Sequence, residues 1–272
     1  MPTDPIMLVR AFLASGSLPL SRSINQVQTM LSSADYDACD LAEHLRMDPT
    51  LAARVMSVAN SAFFSRQPCA AIDDAVNRLG TVQLTRIFAQ VLAGAAMIHP
   101  LSAYGLPADA LWRQSILAAV GAEMAARRQG EDRSAAYMVG LLHLVGMLVI
   151  NNFWTKQSAP RKLNLVDFER EWSADEKKLC GFDHSTLGAE VLRQLSFPPS
   201  VVSAIGRQYQ PPVGPTGCAL YIGRLARNFG NTAVLLDPNP AVLNDFDLAT
   251  ESKLQSFLSD VREEAQSMMQ AA

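Results

Sequence analysis

The stretch AAYMVGLLHLVGMLVI, residues 135 to 150, decides how the chain is read. It is an apolar run that carries one histidine, His143, and it is shorter than the roughly 20 residues that a membrane-spanning helix needs. It therefore reads as a buried core helix of a folded protein, with no membrane insertion. A histidine inside such a helix is either a hydrogen-bonded core residue or one ligand of a metal site.

Upstream, LWRQSILAAVGAEMAARR carries two buried faces. Trp112, Ile116, Val120 and Met124 recur every four residues and form an apolar stripe, whereas Gln114, Ala118, Gly121, Ala122 and Ala125 form a small-residue face. Two such faces predict a central helix with close neighbours. Downstream come a polar connection through residues 151 to 174 and a helix-forming run, DEKKLCGFDHSTLGAEVLRQL, that Pro198-Pro199 ends. The PPVGP segment at 211 to 215 marks a loop, and Thr250 can cap a final amphipathic helix.

The amino-terminal part is also helical in spacing. Residues 22 to 32 place Ile24, Val27, Met30 and Leu31 on one face, and DLAEHLR (40 to 46) forms a short helix that Asp40 can cap. Asp48-Pro49 opens the next, running to Asn60, because proline is tolerated in a first helical turn. AIDDAVNRLG closes at Gly80, and a longer apolar helix covers 81 to 98. No hairpin of alternating strands is present, so the chain is read as all-α. Pro100, Gly105 and Pro107 cluster where one helical subdomain gives way to another, near residues 99 to 108. The expected organisation is a segment at 1–16, a first subdomain at 17–105, a second at 106–230 and a helical extension at 231–272.

The 272 residues are enough to bury a substantial core, with 49% hydrophobic and 18% charged residues. A net charge of −3 supplies no basic field for nucleic acid or anionic membrane. Cys39, Cys69, Cys180 and Cys218 form no C-x-x-C pair, which excludes a zinc knuckle or a dithiol redox motif and suits a reducing cytoplasm. Asp4 and Arg10 interrupt what would have to be an export signal.

Of the four histidines, His44 and His99 read as surface or capping residues. That leaves His143 and His184. Neither has a carboxylate placed to share a ligand: Leu144 follows His143, and Asp183 precedes His184 on a different helical bearing.

Three blocks, LPLSRSINQVQTMLSS, DLAEHLRMDPTLAARVMSVANSAFF and AIDDAVNRLGTVQLTRIF, resemble the first half of the HDOD family. The hallmarks are Asp48, Pro49, Leu51 and Arg54 in the helix start, then Asn60, Ser61, Phe63 and Phe64 in the N-S-A-F-F motif. GLLHLVGMLVI and GFDHSTLGAEVLRQLSFPPSVVSAI resemble its second half, so the likeness covers residues 17 to 213. It implies an HD-like helical bundle for the second subdomain, related in fold to metal-dependent HD phosphohydrolases. Matched to their ligand positions, this chain has Gln114, His143, Leu144, His184, Gln208 and Tyr209. Histidine is kept twice and the adjacent aspartate is replaced by leucine. Two neutral imidazoles without a carboxylate cannot hold a two-metal hydrolytic centre, so no metal, cofactor or catalytic residue is assigned. The six residues form at most a vestigial pocket, whose side chains either bind a small molecule or satisfy one another and a buried water.

The resemblance implies a cytoplasmic bacterial signalling protein without catalytic activity. Its expected partners are sensor kinases, response regulators or cyclic di-GMP enzymes, with Phe63 and Phe64 either contact anchors or core plugs. Three alternatives stand beside it: a nucleotide or small-molecule sensor, a residual phosphohydrolase using Asp183 or Glu190, and nucleic-acid binding by a helix-turn-helix-like segment. The last is opposed by charge, because residues 37 to 66 set Arg46, Arg54 and Arg66 against Asp37, Asp40, Glu43 and Asp48.

Overall fold

The computed structural model describes residues 4–15, 22–31, 37–61, 64, 69–156, 169–195, 197–228 and 239–270. Among these there is no strand, only an isolated bridge between Leu101 and Leu106. The amino-terminal helices are α1 (Pro5–Ala14), α2 (Arg22–Leu31), α3 (Ala38–Arg46), α4 (Pro49–Ala59) and α5 (Ile72–Met97). A 3-10 turn at Ser102–Tyr104 leads to α6 (Ala110–Gln129), α7 (Arg133–Leu142), α8 (Val145–Thr155), α9 (Glu169–Cys180) and α10 (His184–Gln194). The chain ends with α11 (Pro199–Gly206), α12 (Gly214–Asn228), α13 (Pro240–Asp245) and α14 (Glu251–Gln270).

Capping chemistry sets several of these starts. Asp48 accepts from the Leu51 amide at 3.1 Å and Pro49 is the first residue of α4, so the D-P pair is a helix cap with a preset φ. Asp37, and not Asp40, caps α3; Asp40 lies in the first turn, where its charge still favours the positive end of the helix. Gly80 adopts φ 66° and ψ 173° inside α5, so the expected stop at 80 is present as a kink between two consecutive helical stretches. Thr250 stands before α14, its hydroxyl 3.4 Å from the Lys253 amide.

Helices α2, α3 and α4 pack around α5, which also lies against α7. Helix α6 is the centre of the second part, flanked by α7, α12 and α14. Its small-residue face works as the spacing predicts: a Cβ at Gly140 of α7 would stand 2.5 Å from the Ala118 carbonyl oxygen and 2.6 Å from the Ala119 Cα. Only glycine lets the α6 and α7 backbones approach that closely. Helix α8 packs on α10, and α1 lies against both.

The structure also breaks two runs that the sequence reads as single helices. Residues 135–150 are two helices, because α7 ends at Leu142 and α8 begins at Val145, with His143 and Leu144 in the turn between. The His143 Nδ1 lies 2.6 Å from the Gly140 carbonyl oxygen, taking an acceptor from the last turn of α7. The run from 175 to 195 is likewise broken, at Gly181 with φ 84°, and Asp183 caps α10; helix α9 begins at Glu169, inside the stretch read as a polar connection. Taken together, Arg133–Thr155 is long and apolar enough to cross a membrane, but 89% of its most apolar window is buried within the fold.

Candidate functional site

The two kept histidines stand at helix boundaries, His143 at the end of α7 and His184 at the start of α10, and both are completely buried. The α8 and α10 backbones touch there. A Cβ on Gly146 would collide with the His184 carbonyl oxygen and stand 2.6 Å from the Gly188 nitrogen, so glycine at 146 is what admits His184 to this position.

Each imidazole is held at both nitrogens. His143 Nε2 lies 2.7 Å from the Arg227 guanidinium of α12. Arginine can only donate, so Nε2 is the acceptor, and Nδ1 carries the proton given to the Gly140 carbonyl. His184 Nδ1 is 2.7 Å from Oε2 of Glu176 on α9, and its Nε2 is 2.7 Å from the Tyr209 hydroxyl. Glu176 is fully buried and also accepts from the His184 amide at 2.7 Å and the Tyr104 hydroxyl at 2.7 Å. Burial, and then the Glu176 carboxylate, hold the Tyr104 phenol well above its ordinary range, so Tyr104 remains a donor.

The other positions play different parts. Gln208 donates from Nε2 to the His143 carbonyl at 3.1 Å, while its Oε1 is buried without a protein partner. Gln114 has a buried Oε1 in the same condition, and no hydrogen bond joins it to the histidines among the described residues. Leu144 is wholly buried in the apolar core. Arg224 of α12 donates to the Gln208 carbonyl and lies over the Tyr209 ring, its guanidinium carbon 4.6 Å from the centroid. The structure thus unites buried His143, His184 and Gln208 with half-buried Tyr209 in one polar cluster and leaves Gln114 outside its hydrogen bonds.

A divalent metal does not fit this donor set. Arg227 puts a cation on the one free lone pair of His143, and the lone pair of His184 faces Tyr209. Asp183 is fully committed as well, accepting from Ser173 at 2.6 Å, Ser185 at 2.9 Å and the Thr186 amide at 2.9 Å, and pairing with Lys177 at 2.9 Å. Burial alone would raise its pKa, but the bonds from Ser173, Thr186 and Lys177 prevail and hold it well below the usual carboxylate range. Glu190 pairs with Arg193. No group of three or more His, Cys, Asp or Glu side chains placed to hold a metal occurs among the described residues.

Sequence reasoning missed Glu176, Tyr104, Arg224 and Arg227. The signal was present in YIGRLARN, where two arginines three apart occupy one side of a mostly apolar helix. Glu176 lay inside the run read only as helix-forming, where it stands among Asp175, Lys177 and Lys178.

The N-S-A-F-F motif lies elsewhere. The Asn60 side chain donates to the Cys69 carbonyl at 3.1 Å and accepts from the Cys69 amide at 2.8 Å, closing the connection between α4 and α5. Ser61 donates to the Val58 carbonyl at 2.8 Å. Phe64 is half-buried against the core, and Phe63 lies outside the described residues.

Comparison with known proteins agrees with this fold. A candidate signal transduction protein from Marinobacter aquaeolei VT8 superposes with a TM-score of 0.70 at 23% identity, covering 99% of this chain and 66% of that one. A candidate phosphohydrolase from Shewanella amazonensis SB2B gives 0.65 at 24% identity, covering 96% of this chain and 97% of that one. An HDOD domain protein of unknown function from Geobacter sulfurreducens gives 0.63 at 22%, covering 96% of each. At such identities these likenesses concern the fold alone. No curated protein matches the sequence. Residues 18–211, most of the chain, match the HDOD domain, and with the same motifs standing as helix cap, loop clamp and histidine turns, the chain belongs to the HDOD family.

Proposed function

We propose that this chain is a regulatory protein of bacterial signalling that works through protein contacts and does not hydrolyse phosphate esters at the HD position. The observation that carries the reading is the contact between Arg227 and His143. A guanidinium seated on a ligand histidine replaces the metal's charge with a fixed protein cation, and the leucine beside it removes the anionic ligand. The Glu176, His184 and Tyr209 bonds complete a cluster whose groups are occupied with one another, which supports a structural use of the old ligand positions. The signal-transduction description of the Marinobacter protein points the same way.

The test of the non-catalytic half is metal analysis of the purified protein with a phosphodiester hydrolysis assay. No stoichiometric manganese, iron or zinc and no turnover are expected. Bound metal with turnover that Arg227→Ala or His143→Ala abolishes would overturn the reading. The partner half is tested by crosslinked affinity capture from the native cells, where enrichment of a sensor kinase, response regulator or cyclic di-GMP enzyme is expected. Its overturning result is the absence of any protein enriched above an untagged control.

A further inference from the structure

A second feature lies away from the histidines, in an open groove of about 750 Å³ between α4 and α14. Its floor is α5 and α6, where Ile87 and Met124 are buried, and the apolar surface it exposes comes from half-buried Val58 and Phe64 on the α4 side and Met268 on the α14 side. The α4 side carries Arg54 and ends in Ser61 and Phe64 of the N-S-A-F-F motif, so the family motif shapes one rim. The α14 side carries Asp260, Glu263 and Glu264. Among the described residues none of these three carboxylates closes a hydrogen bond or ion pair, and neither Arg54 nor Arg127 at the α6 edge does so. On the floor, Arg86 is tied to Glu123 through one terminal nitrogen, but its Nε is buried without an acceptor.

We propose that this groove docks a peptide segment of a partner protein, one that sets basic side chains against α14, acidic side chains against Arg54 and Arg127, and apolar side chains on Val58, Phe64 and Met268. The proposal rests on the protein-contact reading above and names its surface. A purely anionic ligand such as a nucleic-acid strand meets three carboxylates, and a purely cationic one meets two unpaired arginines, so the complementary occupant is dipolar. A free zwitterion of small size leaves the apolar walls at Val58, Phe64 and Met268 wet, whereas a peptide covers them. Met268, half-buried at the α14 rim, gives a flexible apolar side chain that repacks around a bound group.

The test is selection of a displayed random peptide library on the purified full-length protein. Enriched peptides are expected to share neighbouring basic and acidic residues around an apolar centre. Their affinity should fall about tenfold or more with Glu263→Lys/Glu264→Lys, with Arg54→Glu, and with the groove-filling Ser57→Arg. Circular dichroism should show each variant folded, as expected for side chains at the surface. No enrichment, enrichment without the charge pattern, or binding indifferent to all three variants overturns the proposal. Repeating the native-cell capture with Glu263→Lys/Glu264→Lys separates the two ideas. A partner captured equally by both proteins leaves the contact reading standing and overturns the groove, whereas no partner from either overturns the contact reading, and the peptide selection then decides the groove.

Discussion

The hydroxyl of Tyr209 stands 2.7 Å from Nε2 of His184, and the two rings meet edge to face with centroids 5.4 Å apart. On the far side of the imidazole, Glu176 receives three donors, two of them from His184 itself. Removing the acceptor and removing the hydroxyl should therefore differ in size. Glu176→Ala leaves buried N–H and O–H groups without partners and is expected to lower the unfolding free energy by about 3–5 kcal/mol. Tyr209→Phe removes one bond and should cost about 1–2 kcal/mol. Urea denaturation measures both, and equal losses would contradict this arrangement.

Gly146 makes the sharpest steric prediction. A methyl group there meets the backbone at His184 and Gly188, which cannot rotate aside as a side chain can. Gly146→Ala should cost about 3 kcal/mol or more despite the better helix propensity of alanine. A thermal midpoint at or above that of the parent protein would refute the close approach of α8 and α10.

Asp183 predicts a pH dependence. Its folded-state pKa is depressed below the usual value of 3.8 by bonds from Ser173, Thr186 and Lys177 that outweigh burial. A depressed carboxyl binds fewer protons folded than unfolded, so its stabilisation is present in full above the unfolded pKa, about 4, and is lost as pH falls through the lower folded value. Asp183→Asn should thus be less stable than the parent at pH 7, with the gap narrowing below about pH 4. A gap that is constant from pH 7 to the acid limit would disprove the assignment.

The cysteines should separate by reactivity. Cys39 is exposed, whereas Cys180 is buried, and burial followed by the nearby Glu176 pushes its thiol up to about 12. Native-state alkylation with iodoacetamide is expected to reach Cys39 first and Cys180 only on unfolding, because the thiolate is the reacting form. Labelling of Cys180 in the native protein at the rate of Cys39 would count against its burial.

How much of this could be read in the sequence depends on how local the cause is. The helix start at Asp48-Pro49 and the small face of α6 each arise from a few neighbouring residues and are found as read, and the stop read at Gly80 is found as a kink. The single helix over 135–150 does not. His143 breaks it by bonding to Gly140, a choice that hydrophobic spacing cannot register. The ligand positions follow from the resemblance, but their present partners come from other helices, α9 and α12. Glu176 lies eight residues before His184 and Arg227 lies 84 after His143, and nothing in a local pattern announces that such groups converge.

The seam where α6 meets α7 and α12 has a consequence for how the molecule opens. Backbone lies against backbone there: a Cβ on Gly140 or Gly223 would strike the Ala118 carbonyl oxygen, so the three helices share an interior too narrow for side chains to shift within. Such a unit cannot loosen by rotamer exchange and must come apart as a whole. Its amides should be the last in the protein to exchange with deuterium, at a rate set by global unfolding, while the peripheral α1 exchanges through small local openings long before.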